Sequence, residues 1–110
     1  MQLQQHSLEQ LASGLRSGEV SARAVMESCI DSHAASEQEL NAYKSWNGER
    51  ALAAAGKADE LLQLGYDLGP LMGLPVSVKD MFGVPGLPTF AGSGTELGPQ
   101  WQQAGPLIQA

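Results

Sequence analysis

GPLMGLPVSVKDMFG, residues 69–83, holds a short apolar run that ends on a lysine. Pro75, Val76, Ser77, Val78 and Lys79 alternate, so an extended chain puts Val76 and Val78 on one face and Ser77 and Lys79 on the other. Pro75 fits the first position of a strand, because it has no N–H to give a ladder. Gly73 and Gly83 bracket the unit. From Ala58 onward Lys79 is the only basic residue. Covering both faces of such a strand would strip water from the ammonium, and desolvation favours the neutral amine, the form in which a lysine accepts protons. Asp80 follows it, but adjacent strand residues face opposite ways, so direct pairing is not expected. The plainer alternative is a strand-end lysine that reaches out to solvent.

Outward from this run the composition changes abruptly. Residues 1–64 hold nine of the twelve acidic residues, five of the six basic ones and no proline, whereas residues 65–110 hold nine of the thirteen glycines and all six prolines. The first part therefore reads as helical and partly solvated, the second as short, largely covered strands and turns. Three helices are predicted. SLEQLASGLRSG starts at Ser7 with Gln10 three residues on, a capping-box pattern, and Gly18 is its stop. SARAVMESCIDSHAAS is capped by Ser21 and lines up Ala22, Val25, Met26, Cys29, Ile30 and His33 on one face. NGERALAAAGKADELLQLG turns Ala51, Ala54, Ala55, Ala58, Leu61 and Leu62 inward and closes at Gly65. Between the second and third, NAYKSW alternates as a short strand.

Most of the remaining chemistry-bearing side chains have ordinary explanations. Cys29 on an apolar helix face is a packed small hydrophobe. His33 ends that face with no second ligand at metal spacing, and His6 lies near a fraying end. Ser93 in AGSGTE lacks the flanking glycines of a nucleophile elbow, and no Gly-Lys-Ser/Thr follows to make a phosphate loop. GVPGLPTFAG is turn chemistry, with Pro-Gly favouring a type II bend.

The totals narrow the classes further. A net charge of −6 over 110 residues, without basic clusters, argues against nucleic acid or an anionic membrane as partner. No apolar run approaches the roughly 20 residues of a spanning helix, and MQLQQHSLEQ lacks the basic and apolar regions of a signal peptide. With a single cysteine no internal disulfide can form, and the cytoplasm is the expected location.

GPLMGLPVSVKDMFGVPGLPTFAGS, residues 69–93, closely resembles the start of the amidase signature family, which carries Gly-Pro-Leu-x-Gly-Ile/Leu-Pro-x-x-x-Lys-Asp followed by Gly-Leu-x-Thr-x-x-Gly-Ser. The preceding helices, LNAY and ERALAAAGKADELL are similar to that family's N-terminal layout, and AGPLIQA to the beginning of its next helix. The resemblance implies an α/β class: the N-terminal, truncated part of an α/β/α fold with a mixed central sheet flanked by helices, residues 1–110 forming one portion of a single amidase domain. It implies hydrolysis of carbon–nitrogen bonds in a small-molecule amide through a Ser–cis-Ser–Lys triad, with no metal or organic cofactor, and leaves a homo-oligomer open. The lysine that matches is Lys79. Neither Ser77 nor Ser93 fits the context of the triad serines, whose Gly/Ser-rich segment lies downstream in the family. The 110 residues alone are therefore expected to be inactive, and on their own to be partly ordered in the helical half and mobile in the Gly/Pro half. Within the family, a transamidating enzyme that acts on misacylated tRNA and an allophanate- or carboxybiuret-type hydrolase stay open. Outside it, the alternative is a non-enzymatic helical interaction module.

Overall fold

The computed structural model describes residues 1–109. Helix α1 (Leu8–Ser17) begins where Ser7 Oγ accepts the Gln10 N–H at 3.1 Å and the Gln10 side chain accepts the Ser7 N–H at 2.8 Å. This is the reciprocal capping box its sequence predicts, and the helix ends on Gly18 at φ 80°. Helix α2 (Ala22–Leu40) is capped by Ser21, whose Oγ accepts the Ala24 N–H, and runs past Ser36 to a left-handed Asn41. Helix α3 (Gly48–Gln63) starts from Asn47, whose side chain accepts the Arg50 N–H at 3.0 Å. The described residues also contain 3₁₀ turns at Leu3–Gln5 and Pro99–Gln102 and a single-turn helix α4 (Pro106–Gln109), with Pro106 in its first turn, where its missing N–H costs nothing.

The chain divides into two compact units. Unit one is Met1–Ala42 with Asn47–Pro75; unit two is Tyr43–Trp46 with Val76–Ala110.

Unit one contains the hydrophobic core: Leu11 and Leu15 from α1, and Ala22, Val25 and Met26 from α2. Those from α2 belong to its predicted face, while Leu8 at the start of α1 is exposed. Burying Val25 completely contributes about 1.5–3 kcal/mol. On α3 the covered stripe is rotated from the predicted one. Ala51, Ala55, Ala58 and Leu62 are partly covered together with Leu52, Gly56 and Asp59, whereas Ala54 and Leu61 are exposed. Asp59 accounts for the rotation. Its carboxylate accepts the N–H groups of Ala22 at 2.6 Å and Arg23 at 3.0 Å, so α3 supplies an anion to the unpaired amides at the positive end of α2. The returning segment is pinned by Arg16, which donates through Nε and Nη2 to the two carboxylate oxygens of Asp67, each at 2.9 Å, and to the Gly69 carbonyl at 2.5 Å. That arrangement holds the Asp67 carboxyl below the ordinary aspartate range, chiefly through the Arg16 hydrogen bonds and then the Gly69 amide. Gly73 then approaches the core so closely that a Cβ there would lie 3.1 Å from Leu15 Cδ1.

Unit two is built from turns. The Leu87 N–H donates to the Val84 carbonyl, with Pro85 and a Gly86 at φ 82° between them, which is the type II bend predicted for Val-Pro-Gly-Leu. A second turn spans Phe90–Ser93, with Ala91 at φ 51° and Gly92 at φ 77°, the two left-handed residues of a type I′ turn. Thr89, 2 % exposed, ties the unit together: its hydroxyl donates to the Trp101 carbonyl at 3.0 Å and its carbonyl accepts the Leu97 N–H at 2.8 Å.

The α/β expectation is corrected here. Among the described residues there is no strand and no sheet; the regular structure is entirely helical. Residues 75–79 and 41–46, read as strands from their alternation, have no ladder partner. The physical reason is that a helix pairs its backbone groups within itself, while a strand must find a neighbour about 4.8 Å away. Alternation marks a segment fit for a sheet without supplying that neighbour. The expected covering fails with it: Val76 is 75 % exposed and Val78 41 %.

Candidate active site

Lys79 ends the unpaired Pro75–Lys79 segment and opens onto a hollow of about 560 Å³ within unit two. That volume lies in the range of small-molecule pockets. Its lining comes from three short pieces of chain: Lys44; Lys79, Asp80 and Met81; and Phe90 to Ser93. Asp80 joins the second piece to the third, its Oδ1 accepting the Phe90 N–H at 3.0 Å. The carboxylate is thus turned toward the backbone of the type I′ turn, in keeping with the expectation that it would not pair directly with Lys79. Just beyond the lysine, the Met81 and Phe82 amides both donate to the Lys79 carbonyl, at 2.7 and 3.2 Å, so the chain bends sharply there. Gly83 follows, and a Cβ on it would collide with the Gln103 carbonyl oxygen and lie 2.7 Å from that of Trp101. The glycine that brackets the motif therefore serves a close backbone approach.

Lys79 itself is exposed, and among the described residues its ammonium has neither an ion pair nor a hydrogen-bond partner. The expectation of a dry amine is not met by this chain's own residues, because the flanking valines are uncovered too. Ser77 is exposed and does not line the hollow, whereas Ser93 does. The Ser93 hydroxyl is occupied locally, donating to the Thr95 carbonyl and accepting the Thr95 N–H, both at 2.9 Å. Such an exchange within one turn stabilises the loop and leaves no base acting on the oxygen.

Sequence reasoning missed two members of the site. Lys44 places its Nζ 4.5 Å from the centroid of the Phe90 ring, a cation–π contact worth about 0.5–1 kcal/mol at an exposed position. It comes from the four-residue stretch Tyr43–Trp46, where the Tyr43 and Trp46 rings meet edge to face at 5.0 Å. Nothing in the spacing of residues 41–46 signals that Lys44 belongs with residues 79–81 and 90–93.

The other candidates lie in unit one. Cys29 is half-buried on α2, and burial pushes its thiol up from the ordinary range, which disfavours the nucleophilic thiolate. His33 sits 3.8 Å from the Glu37 carboxylate one turn along the same helix. Among the described residues no group of three His, Cys, Asp or Glu side chains could hold a metal ion, and no helix is long and apolar enough to cross a membrane.

Comparison with known proteins supplies the family. The family model described as Amidase matches residues 24–99. A 2-amino-5-chloromuconic acid deaminase of Comamonas testosteroni is 57 % identical over 102 residues, covering 93 % of this chain and 22 % of the relative. The A-type component of a glutamyl-tRNA(Gln) amidotransferase from Lachnospira eligens is 40 % identical over 93 residues, 84 % of this chain and 19 % of the relative. An amidase of Pseudomonas putida is 38 % identical over 87 residues, 79 % of this chain and 18 % of the relative. The chain thus spans about a fifth of the length of the curated relatives it matches. Lys79, Asp80 and the Phe90–Ser93 turn all fall inside the matched residues, and the chain belongs to the amidase signature family.

Proposed function

We propose that this chain supplies the base of a carbon–nitrogen hydrolase, with Lys79 as the third member of a Ser–cis-Ser–Lys triad whose serines are contributed by sequence beyond these 110 residues. The observation that carries the reading is the position of Lys79 at the end of its motif, unpaired and opening onto a hollow of ligand size. In this mechanism the neutral amine takes a proton from the cis-peptide serine, which takes one from the nucleophilic serine as that oxygen attacks the substrate carbon. The proton then passes back to the departing nitrogen, and water releases the acyl group. An ammonium could not begin the sequence, so the amine must be covered and dry when it works; the open side of the hollow is where such cover is needed.

The substrate is a small molecule. The 57 % identity to a deaminase named for a small organic acid, against 40 % to a component of a tRNA amidotransferase, favours that class over misacylated tRNA. The test uses the full-length protein and follows ammonia release from 2-amino-5-chloromuconic acid and from simple aliphatic amides. Lys79→Met should lower kcat by roughly 10²–10⁴-fold, the usual contribution of a positioned base. Turnover by Lys79→Met equal to wild type would overturn the assignment. The 110 residues alone should release no ammonia, since a triad without its nucleophile retains little rate enhancement.

A further inference from the structure

Unit two contains two lysines and two acidic residues, Asp80 and Glu96, so it is formally neutral and unit one carries the whole excess of negative charge. Both lysines line the same hollow. Of the two acids only Asp80 lines it, and one of its oxygens is occupied by the Phe90 N–H. Among the described residues, neither ammonium is paired with a carboxylate. Lys44 moreover lies with its Nζ 4.5 Å from the Phe90 ring centroid, a contact that engages no hydrogen-bond acceptor and leaves its N–H donors available. With Lys79 neutral as the proposed base, Lys44 is the one standing cation of the hollow, and the single carboxylate there, Asp80, accepts from the Phe90 N–H instead of pairing with it.

We propose that Lys44 is a specificity residue that binds a carboxylate of the substrate, so that the hollow takes small acids bearing the C–N bond in preference to neutral amides. The proposal rests on the reading of Lys79 as the base: one lysine must be neutral to act, which leaves the other as the standing cation. The Lys44 ammonium donates to the carboxylate as a charge-assisted hydrogen bond, and the Phe90 face fixes the direction from which it does so.

The experiment compares a matched pair of substrates, succinamate with its carboxylate and butyramide without one, on full-length wild type, Lys44→Gln and Lys44→Arg. Lys44→Gln should lower kcat/KM for succinamate roughly ten- to hundredfold, through KM, and leave butyramide within about twofold, as expected from the loss of one charged hydrogen bond. Lys44→Arg should retain most of the preference. Equal losses on both substrates would mark Lys44 as merely structural, and no change on either would remove it from the site; both outcomes overturn the proposal. Because the readout is a ratio within one enzyme, it stands apart from the fate of Lys79→Met. Should neither amide be turned over, calorimetric titration with succinate decides: the proposal holds if wild type binds it and Lys44→Gln binds it at least about tenfold more weakly, and fails otherwise.

Discussion

Val25 and Thr89 are the two largest side chains that are fully buried, and they belong to different kinds of structure. Val25 lies in unit one among four other buried apolar residues on helices that pair their own backbones. Thr89 lies in unit two, where among the described residues no apolar side chain is buried to the same degree, and two hydrogen bonds fix it there. One unit is held by area removed from water, the other by a few directed polar contacts: Asp80 to Phe90, Thr89 to Trp101 and Leu97, and three tight turns. The candidate site is in the second. A hollow lined by lysines cannot also be the apolar core, so the residues that shape it are fixed by bonds of defined direction.

This contrast can be tested by substitution, reading local opening in the full-length protein by hydrogen exchange. The largest effect is expected from Leu15→Ala, 5 % exposed in the core of unit one, at about 2–5 kcal/mol across the α1 and α2 amides. A loss below about 1 kcal/mol, well short of that range, would mean that unit one is not held by its core. Asp59→Ala should follow at about 2–3 kcal/mol, because two amides at the start of α2 lose a charged acceptor, with the Ala22 and Arg23 amides exchanging first. In unit two, Asp80→Ala should cost about 2 kcal/mol by the same reasoning and release the Phe90 amide. If that amide stays protected, the Asp80 bond is not what shapes the hollow. Thr89→Val keeps the volume but leaves the Trp101 carbonyl without its donor, at about 1–2 kcal/mol.

The smallest effect concerns Asp67. Its folded-state value lies below the unfolded one, so its contribution is present above the ordinary aspartate range near 3.9 and is lost as pH falls through the lower folded value. Asp67→Asn should remove that acid dependence, lowering stability slightly at neutral pH and leaving it unchanged below the folded-state value. A wild-type curve already identical to the variant's across this acid window would show the Arg16 clamp to be energetically idle.

The helices are legible in the sequence because their signals are local. Ser7 with Gln10, Ser21, Gly18 and the Val25–Met26 stripe each act within one or two turns, and Pro85-Gly86 acts within four residues. What the sequence does not reveal involves partners remote along the chain. The stripe on α3 departs from its apolar pattern because Asp59 answers to Ala22, thirty-seven residues earlier. The expected strands do not form because alternation says nothing about whether a neighbour exists. Lys79 is marked by its motif, yet Lys44, which shares its hollow, carries no local mark.

The carboxylate of Asp59 also imposes an order of events on synthesis. Ser21 can cap α2 as soon as the next few residues are made, but the Arg23 amide waits for a residue thirty-six positions later. At roughly 5–20 residues per second, the ribosome adds that residue about two to seven seconds afterwards. During that interval the nascent α2 has a loose beginning, and its completion coincides with the arrival of α3. Chains arrested before residue 59 should show the Ala22 and Arg23 amides exchanging freely, and chains arrested well beyond it should not.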